Sequence, residues 1–452
     1  MAARCQVKGL DHPTRVVPAA FLAAIAIGTA VLMLPAATAS GQSAGFVTAF
    51  FTATSAICVT GLITVDTPTF WSPFGQAAIM LQFQIGGLGI MTAATLLGLV
   101  AGRRMSLSGR AIALTEHGHV NRAEAASLVR LVFIVSIAFE ALVAVALWLR
   151  WWLGHGMNAG EAAWHALFHA VSAFNNAGFS TFSDSLMSWQ ADSLILAPVM
   201  AAIIIGGIGF PVLHEVWSRR NRRQRHKPWS LHSRITLVVS AALLVGGTVL
   251  MLSAEWTNPD TLGAMPLGER LLNAAFHSVT MRTAGFNALD VGAFADQSLS
   301  INYLFMMIGG GSAGTAGGLK VTTFALLGFV VWSEIRGHAE TTIFGRTVGA
   351  QIVRQALSIV LIAIALIGLV TLMIEWIEPV IDFRFILFET ISAFATVGLS
   401  TGITAQLSTP SQMLLVLLMF VGRVGTVTFA TALALAQRSL KYRYPEEQPI
   451  VG

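Results

Sequence analysis

Charge is what this sequence has least of: Asp, Glu, Lys and Arg together make up 11% of its 452 residues. A soluble domain carries about a quarter, so most of this chain does not face water. The mean hydropathy of +0.72 points the same way. Cysteine is nearly missing too. Only Cys5 and Cys58 are present, and the topology derived below puts them on opposite sides of a membrane, where they cannot pair. The redox compartment is therefore not legible. No cluster of catalytic polar residues sits at one depth, which argues against a membrane enzyme.

What the chain has in quantity is long apolar blocks, such as Val16–Ala37, Leu194–Leu213, Ile235–Leu252 and Ile352–Ile374. Each has roughly the 20 residues that a helix needs to cross the hydrocarbon core. The class is a polytopic, all-α membrane protein. Arg4, Lys8 and Arg15 ahead of the first block imitate a secretory signal. The block is long for one and more spans follow, so it reads as the first span of the mature chain.

Most of the 27 Lys and Arg fall in alternate connections. They lie at the N-terminus, around Arg103–Arg130, in the run RRNRRQRHK from Arg219, at Arg336, Arg346 and Arg354, and in the tail at Arg438, Lys441 and Arg443. Basic loops are cytoplasmic, so both termini are expected inside. The net charge of +5 thus reflects topology rather than nucleic-acid binding. The run from Arg219 is read as positive-inside anchoring, with acidic lipid headgroups or a cytosolic partner as alternatives. On the other face, acidic residues such as Asp66, Asp184, Asp290 and Glu389 outnumber Arg150, Arg270, Arg282 and Arg384. A negative mouth concentrates cations.

A pattern recurs four times: FFTATSAICVTGL from Phe50, LFHAVSAFNNAGF from Leu167, AFHSVTMRTAGF from Ala275 and LFETISAFATVGL from Leu387. Each is an aromatic residue, a short amphipathic stretch, then a small residue, glycine and an apolar residue. The third is one residue shorter between its Phe and its Gly. Each stretch is too short and polar to span a bilayer, and each lies between two spans. Repeats are expected over 1–102, 103–218, 219–333 and 334–452. The expected architecture is eight transmembrane helices and four helix–pore loop–helix units with pseudo-fourfold symmetry. Non-helical backbone at membrane depth survives only when buried or lining a watery cavity. Four such stretches most simply line one axis.

A dehydrated cation needs a cage of oxygens, which backbone carbonyls supply. Glycine adopts the conformations that turn successive carbonyls inward. Gly61, Gly178, Gly285 and Gly398 would give one ring. Further rings would come from Cys58, Val59 and Thr60; Asn175, Asn176 and Ala177; Arg282, Thr283 and Ala284; and Ala395, Thr396 and Val397. Potassium at these carbonyls is the metal expected.

These segments carry a resemblance. CVTGL, FNNAGF, RTAGFN and TVGLST resemble the four filter loops of the potassium-transporter superfamily that includes bacterial Trk and Ktr and the plant and fungal high-affinity transporters. The likeness covers nearly the whole chain and is greatest for the membrane subunit of the Ktr type. It implies potassium uptake across the plasma membrane, the bacterial inner membrane, with sodium dependence possible as a family trait. It also implies a homodimer docked on a cytosolic nucleotide-binding ring of KtrA type, and no organic cofactor. In that family a glycine in all four loops accompanies potassium preference, and a serine in the first accompanies sodium transport.

Glycines also mark the second span of each unit: IGGLGI from Ile85, IGGIGF from Ile205, IGGGSAGTAGGLK from Ile308 and VGRVGTV from Val421. The first two are read as close helix packing. The third, with Gly309, Gly310, Gly311, Ser312, Gly314, Thr315, Gly317, Gly318 and Lys320, breaks a span. It lacks the Walker spacing because Val321 follows Lys320. It resembles the gating loop of Ktr proteins, with a passive kink as the alternative. Arg423 lies in the last span, and a charge at that depth needs a cavity or a partner. In the family an arginine there lies below the filter, where it could pair with the gate or repel cations. Lys320 could act likewise or snorkel to the inner surface. Glu140, mid-span, is read as a packing or partner-paired charge. His165 and His169 have the spacing of zinc ligands but no third ligand, so packing or capping is expected.

Overall fold

The apolar blocks become helices because a backbone in lipid must satisfy its own hydrogen bonds. The computed structural model describes residues 13–105, 122–220, 228–338 and 340–425. Cys5, Arg4, Lys8, the tail basic residues and most of the run from Arg219 lie outside the described residues.

The order is α1 (Pro13–Leu32), α2 (Phe46–Ile57), α3 (Pro73–Met105), α4 (Arg122–Leu149), α5 (Ala159–Asn175), α6 (Ser193–Ile208), α7 (Phe210–Ser218), α8 (Leu231–Glu255), α9 (Leu267–Thr280), α10 (Asp296–Met307), α11 (Val321–Ile335), α12 (Ala350–Ile377), α13 (Phe383–Ala395) and α14 (Thr409–Phe420). Among the described residues the named strands are the two-residue pair Thr342–Ile343 and Arg346–Thr347.

Among the described residues three stretches, Val129–Gly154, Leu231–Glu255 and Ala350–Ile377, are each long and apolar enough to cross a membrane. The block Leu194–Leu213 is not one straight span. It bends by 98° between α6 and α7. Gly209, at φ +99, makes the corner, a conformation that a side chain resists. The expected span after Asp296 is likewise divided, with residues 308–320 separating α10 from α11.

The packing closes on itself. Each short helix lies against the long helix before it: α2 on α1, α5 on α4, α9 on α8, α13 on α12. The helix that follows each one packs on the next short helix, α3 on α5, α6 on α9, α10 on α13, and α14 on α2. In lipid, such contacts depend on close van der Waals packing rather than on expelling water. Glycines permit it. A Cβ on Gly86 would stand 2.0 Å from the Ile57 carbonyl oxygen, one on Gly206 1.8 Å from that of Phe174, and one on Gly422 1.7 Å from that of Phe394. Each of these helices is thus pressed under the C-terminal end of a short helix.

Polar straps hold helix ends together. Asp192 caps α6 and accepts from Arg150 Nε and His155 Nε2, both at 2.7 Å. Glu255 accepts from the Ala295 N–H at 2.9 Å, just ahead of α10. Glu378 does the same for the Ser408 N–H at 2.9 Å, ahead of α14. Between α1 and α3 the backbone suffices, with Ser72 N–H donating to the Ala37 carbonyl at 2.9 Å.

Candidate functional site

All four short helices end at a loop of one design. The residue two before each glycine is left-handed although it carries a side chain: Val59 (φ 56), Asn176 (φ 58), Thr283 (φ 100) and Thr396 (φ 49). The glycines are left-handed too, Gly61 at φ 94, Gly178 at 71, Gly285 at 74 and Gly398 at 90. Left-handed residues in alternation turn successive carbonyls toward the same side of the strand. Holding non-glycine residues there costs of order 1–3 kcal/mol each, so the surroundings must over-determine the shape.

A hydroxyl in each short helix supplies part of that restraint. Ser55 Oγ accepts from the Gly61 N–H at 3.1 Å. Ser172 Oγ donates to the Phe179 carbonyl at 2.8 Å, and Thr280 Oγ1 to that of Phe286 at 2.7 Å. Ser392 Oγ bonds both the Gly398 N–H (3.1 Å) and the Leu399 carbonyl (2.6 Å). In the third loop, one residue shorter, the Gly285 N–H points to the Thr280 carbonyl instead. That shortening accompanies the larger φ of Thr283. These hydroxyls were not singled out from sequence, though one stands at the matching place in all four segments.

The four glycines form a closed ring. A Cβ on Gly61 would meet the Ala177 carbonyl oxygen at 2.4 Å, one on Gly178 that of Ala284 at 2.7 Å, one on Gly285 that of Val397 at 2.4 Å, and one on Gly398 that of Thr60 at 2.1 Å. Each contact passes to the next loop, and the fourth returns to the first. Cys58, Val59, Thr60, Ala177, Ala284, Ala395, Thr396 and Val397 are all buried behind or within it. On one side the ring opens to a cavity of about 330 Å³ lined by the four glycines, with Asp66, Asp290, Ser400 and Thr401 on its walls. Glu389, fully buried, holds one wall by accepting from Ser400 Oγ (2.6 Å), the Thr401 N–H (2.9 Å) and Thr404 Oγ1 (2.7 Å).

Beneath the ring lies the glycine-rich segment. It begins and ends as a pinched pair, with the Gly309 N–H donating to the Leu319 carbonyl at 2.8 Å. Between these ends it reaches α6 and α7: Gly311 N–H to the Gly207 carbonyl (2.8 Å), Thr315 N–H to that of Gly206 (3.1 Å), and Phe210 N–H to that of Ala313 (3.2 Å). A Cβ on Gly209 would fall 2.3 Å from the Ser312 carbonyl oxygen. The corner in α6–α7 is therefore shaped to this segment. Thr315 Oγ1 also donates to the Phe174 carbonyl at 3.1 Å. A Cβ on Gly317 would strike Thr396 Oγ1, and Gly318 lies against Ala395. Gly310 and Gly314 sit against the Gly207 carbonyl, and Ser312 Oγ lies 3.3 Å from Thr322 Oγ1.

Arg423 is buried and its Nη1 donates to the Thr315 carbonyl. Lys320 Nζ donates to the Ala316 carbonyl at 2.6 Å, folding back on the segment itself. Arg282 needs a correction. Its place in the third loop puts it among the outer-face charges, but its Nη2 donates to the Gly309 carbonyl at 3.1 Å and its Nη1 approaches the Ser240 carbonyl at 3.4 Å. The side chain runs beneath its own loop because those oxygens offer a buried guanidinium partners that hydrocarbon cannot. The Asn176 side chain lies 3.1 Å from Thr283 Oγ1, bridging two loops. Asn175 points away from the ring, toward Gln84 and Glu140.

His169 is fixed by the His165 carbonyl (2.8 Å) and Ser180 Oγ (3.0 Å), and His165 by Thr181 Oγ1 (2.6 Å). Among the described residues no group of three His, Cys, Asp or Glu is placed to hold a metal ion. What the ring can do is present main-chain oxygens, with no side chain at the glycines, to a small cation.

The sequence profile of TrkH, described as a cation transport protein, matches residues 3–442. The chain belongs to the TrkH family of cation transport proteins. It is a transporter, not an enzyme. Its relatives include the Ktr system potassium uptake protein B of Bacillus subtilis, 38% identical over 442 residues, 97% of each chain. The protein of that name from Vibrio alginolyticus is 38% identical over 438 residues, 97% of this chain and 94% of the relative. The potassium/sodium uptake protein NtpJ of Enterococcus hirae is 37% identical over 448 residues, 97% of each. The crystal structure of the potassium transporter TrkH from Vibrio parahaemolyticus matches with a TM-score of 0.72 at 17% identity, covering 97% of this chain and 87% of that one. The membrane-transporter fold is shared; at that identity, the likeness speaks to fold alone.

Proposed function

We propose that this chain is the pore-forming membrane subunit of a potassium uptake system. The closed glycine ring carries the reading: four loops contribute carbonyl oxygens at one level, and each loop buttresses the next. Such rings replace an ion's water shell. The filter residues are Cys58–Gly61, Asn175–Gly178, Arg282–Gly285 and Ala395–Gly398, and the acidic cavity beside them is the outer mouth. The names of the B. subtilis and V. alginolyticus relatives support potassium as the ion, and that of NtpJ supports sodium as a possible second ion.

The remaining architecture follows. Four repeats, residues 1–102, 103–218, 219–333 and 334–452, give eight transmembrane helices about a pseudo-fourfold axis. The broken third-repeat span between α10 and α11 is the gate, Gly309–Lys320, and Arg423 holds it shut below the filter. The chain sits in the plasma membrane, the bacterial inner membrane, with both termini cytoplasmic. It works as a homodimer on a cytosolic nucleotide-binding ring of KtrA type.

Rubidium uptake into proteoliposomes tests the filter. Wild type takes up rubidium in preference to sodium, and Gly61→Ser loses that preference. Unchanged preference in Gly61→Ser would contradict the filter assignment.

A further inference from the structure

A buried charge lies in α4, outside the filter and gate. Glu140, in α4, is only 6% exposed, and among the described residues it has no cationic partner. A carboxylate at membrane depth is expensive and is retained where it is paired or functional. Its partners are two amides. Gln84 Nε2, from α3, donates to Oε1 at 3.0 Å and to Oε2 at 3.1 Å. Asn175 Nδ2 reaches Oε1 at 3.4 Å, and also donates to Gln84 Oε1 and to the Val171 carbonyl (2.9 Å).

Asn175 is the last residue of α5. The next residue, Asn176, is already left-handed, and Gly178 of the ring follows two residues later. Its Oδ1 has no hydrogen-bond partner and lies against Gly87, where a Cβ would stand 2.1 Å away. The amide is thus held from its nitrogen side by three acceptors and walled in on the other by backbone. Three helices, α3, α4 and α5, meet at this one side chain. At the same place in the other loops stand Cys58, Arg282 and Ala395. Of these, Arg282 is tied to the Gly309 carbonyl, whereas Asn175 ties the start of the second loop to a carboxylate.

We infer that Glu140 is a positioning residue for ion selectivity. Through Gln84 and Asn175 it sets where α5 ends, and hence where the second loop places its carbonyls in the ring. The inference rests on the filter reading above. A carboxylate suits the role because it only accepts, so both Gln84 and Asn175 must present their N–H groups and cannot flip.

The test is the ratio of rubidium to sodium uptake by the full chain in liposomes, beside its melting temperature in detergent. Glu140→Gln puts an N–H where Gln84 or Asn175 already donates, and the ratio is expected to fall at least fivefold with melting little changed. The exchange Gln84→Glu with Glu140→Gln restores a carboxylate facing an amide and should bring the ratio back to within twofold of wild type. A merely structural residue would move melting and leave the ratio alone. An unchanged ratio in Glu140→Gln, or an exchange that melts normally without recovering selectivity, overturns the inference. If Glu140→Gln does not fold, Glu140→Asp carries the test: its carboxylate retreats from Asn175, so a wild-type ratio there overturns the inference equally. Wild type lacking rubidium preference would instead sink the filter reading.

Discussion

Gly398 lies so close to Thr60 that a Cβ would sit 2.1 Å from the Thr60 carbonyl oxygen, and this contact joins the last loop to the first. Residues far apart in the chain thereby share one boundary of the ring. With φ at +90, any substituent at Gly398 is also strained. Left-handed geometry costs roughly 1–2 kcal/mol for a residue with a Cβ. Gly398→Ala must therefore push the first loop away, widening the ring. Rubidium-over-sodium selectivity in proteoliposomes should drop about tenfold, which corresponds to only about 1.4 kcal/mol. Selectivity equal to wild type would mean that the ring does not discriminate.

The contact from Arg423 to the Thr315 carbonyl is the last helix's grip on the glycine-rich segment. Arg423→Ala removes the donor and leaves a buried carbonyl unmet, which costs about 1–3 kcal/mol. The segment should then leave its place more often, so uptake without any regulatory partner is expected to rise several-fold. Uptake that stays at or below the wild-type rate would count against a latch.

The loops were legible in the sequence because each needs a glycine at a fixed place, and four matched glycines rise above the background. The third loop's missing residue was legible too, and it surfaces as the larger φ of Thr283. The corner at Gly209 was not. The apolar run through Leu194–Leu213 is continuous, and hydropathy does not register a turn whose cause is a segment about a hundred residues later in the chain. The direction of Arg282 escaped for a related reason: loop position says where its Cα lies, whereas the guanidinium goes to the oxygens of Gly309 and Ser240. Ser55, Ser172, Thr280 and Ser392 could have been found by asking of each repeat which side chain might restrain the turn.

The same corner yields a further prediction. Gly209→Ala would put a methyl group 2.3 Å from the Ser312 carbonyl oxygen at φ +99. Strain of about 1–3 kcal/mol is expected, and the segment cannot keep its bond to the Phe210 N–H. The variant should melt earlier and show raised partner-free uptake. Gly246→Ala, where a Cβ meets nothing within 4 Å, serves as the control and should change neither.

Glu378 ties the end of α12 to the start of α14. The Ser408 hydroxyl, beside the Ser408 N–H and Ser411 Oγ, draws its carboxyl below the usual range, while partial burial opposes this. A depressed folded value means that the strap contributes fully above the unfolded carboxyl value of about 4.3. The contribution fades as pH falls through the lower folded value. By analogy with other helix caps, its loss should cost about 1 kcal/mol. Glu378→Gln is therefore expected to melt below wild type at pH 7, and the gap should close as both are acidified below about pH 4. A gap that persists undiminished in acid would show that the side chain stabilises by packing rather than by charge.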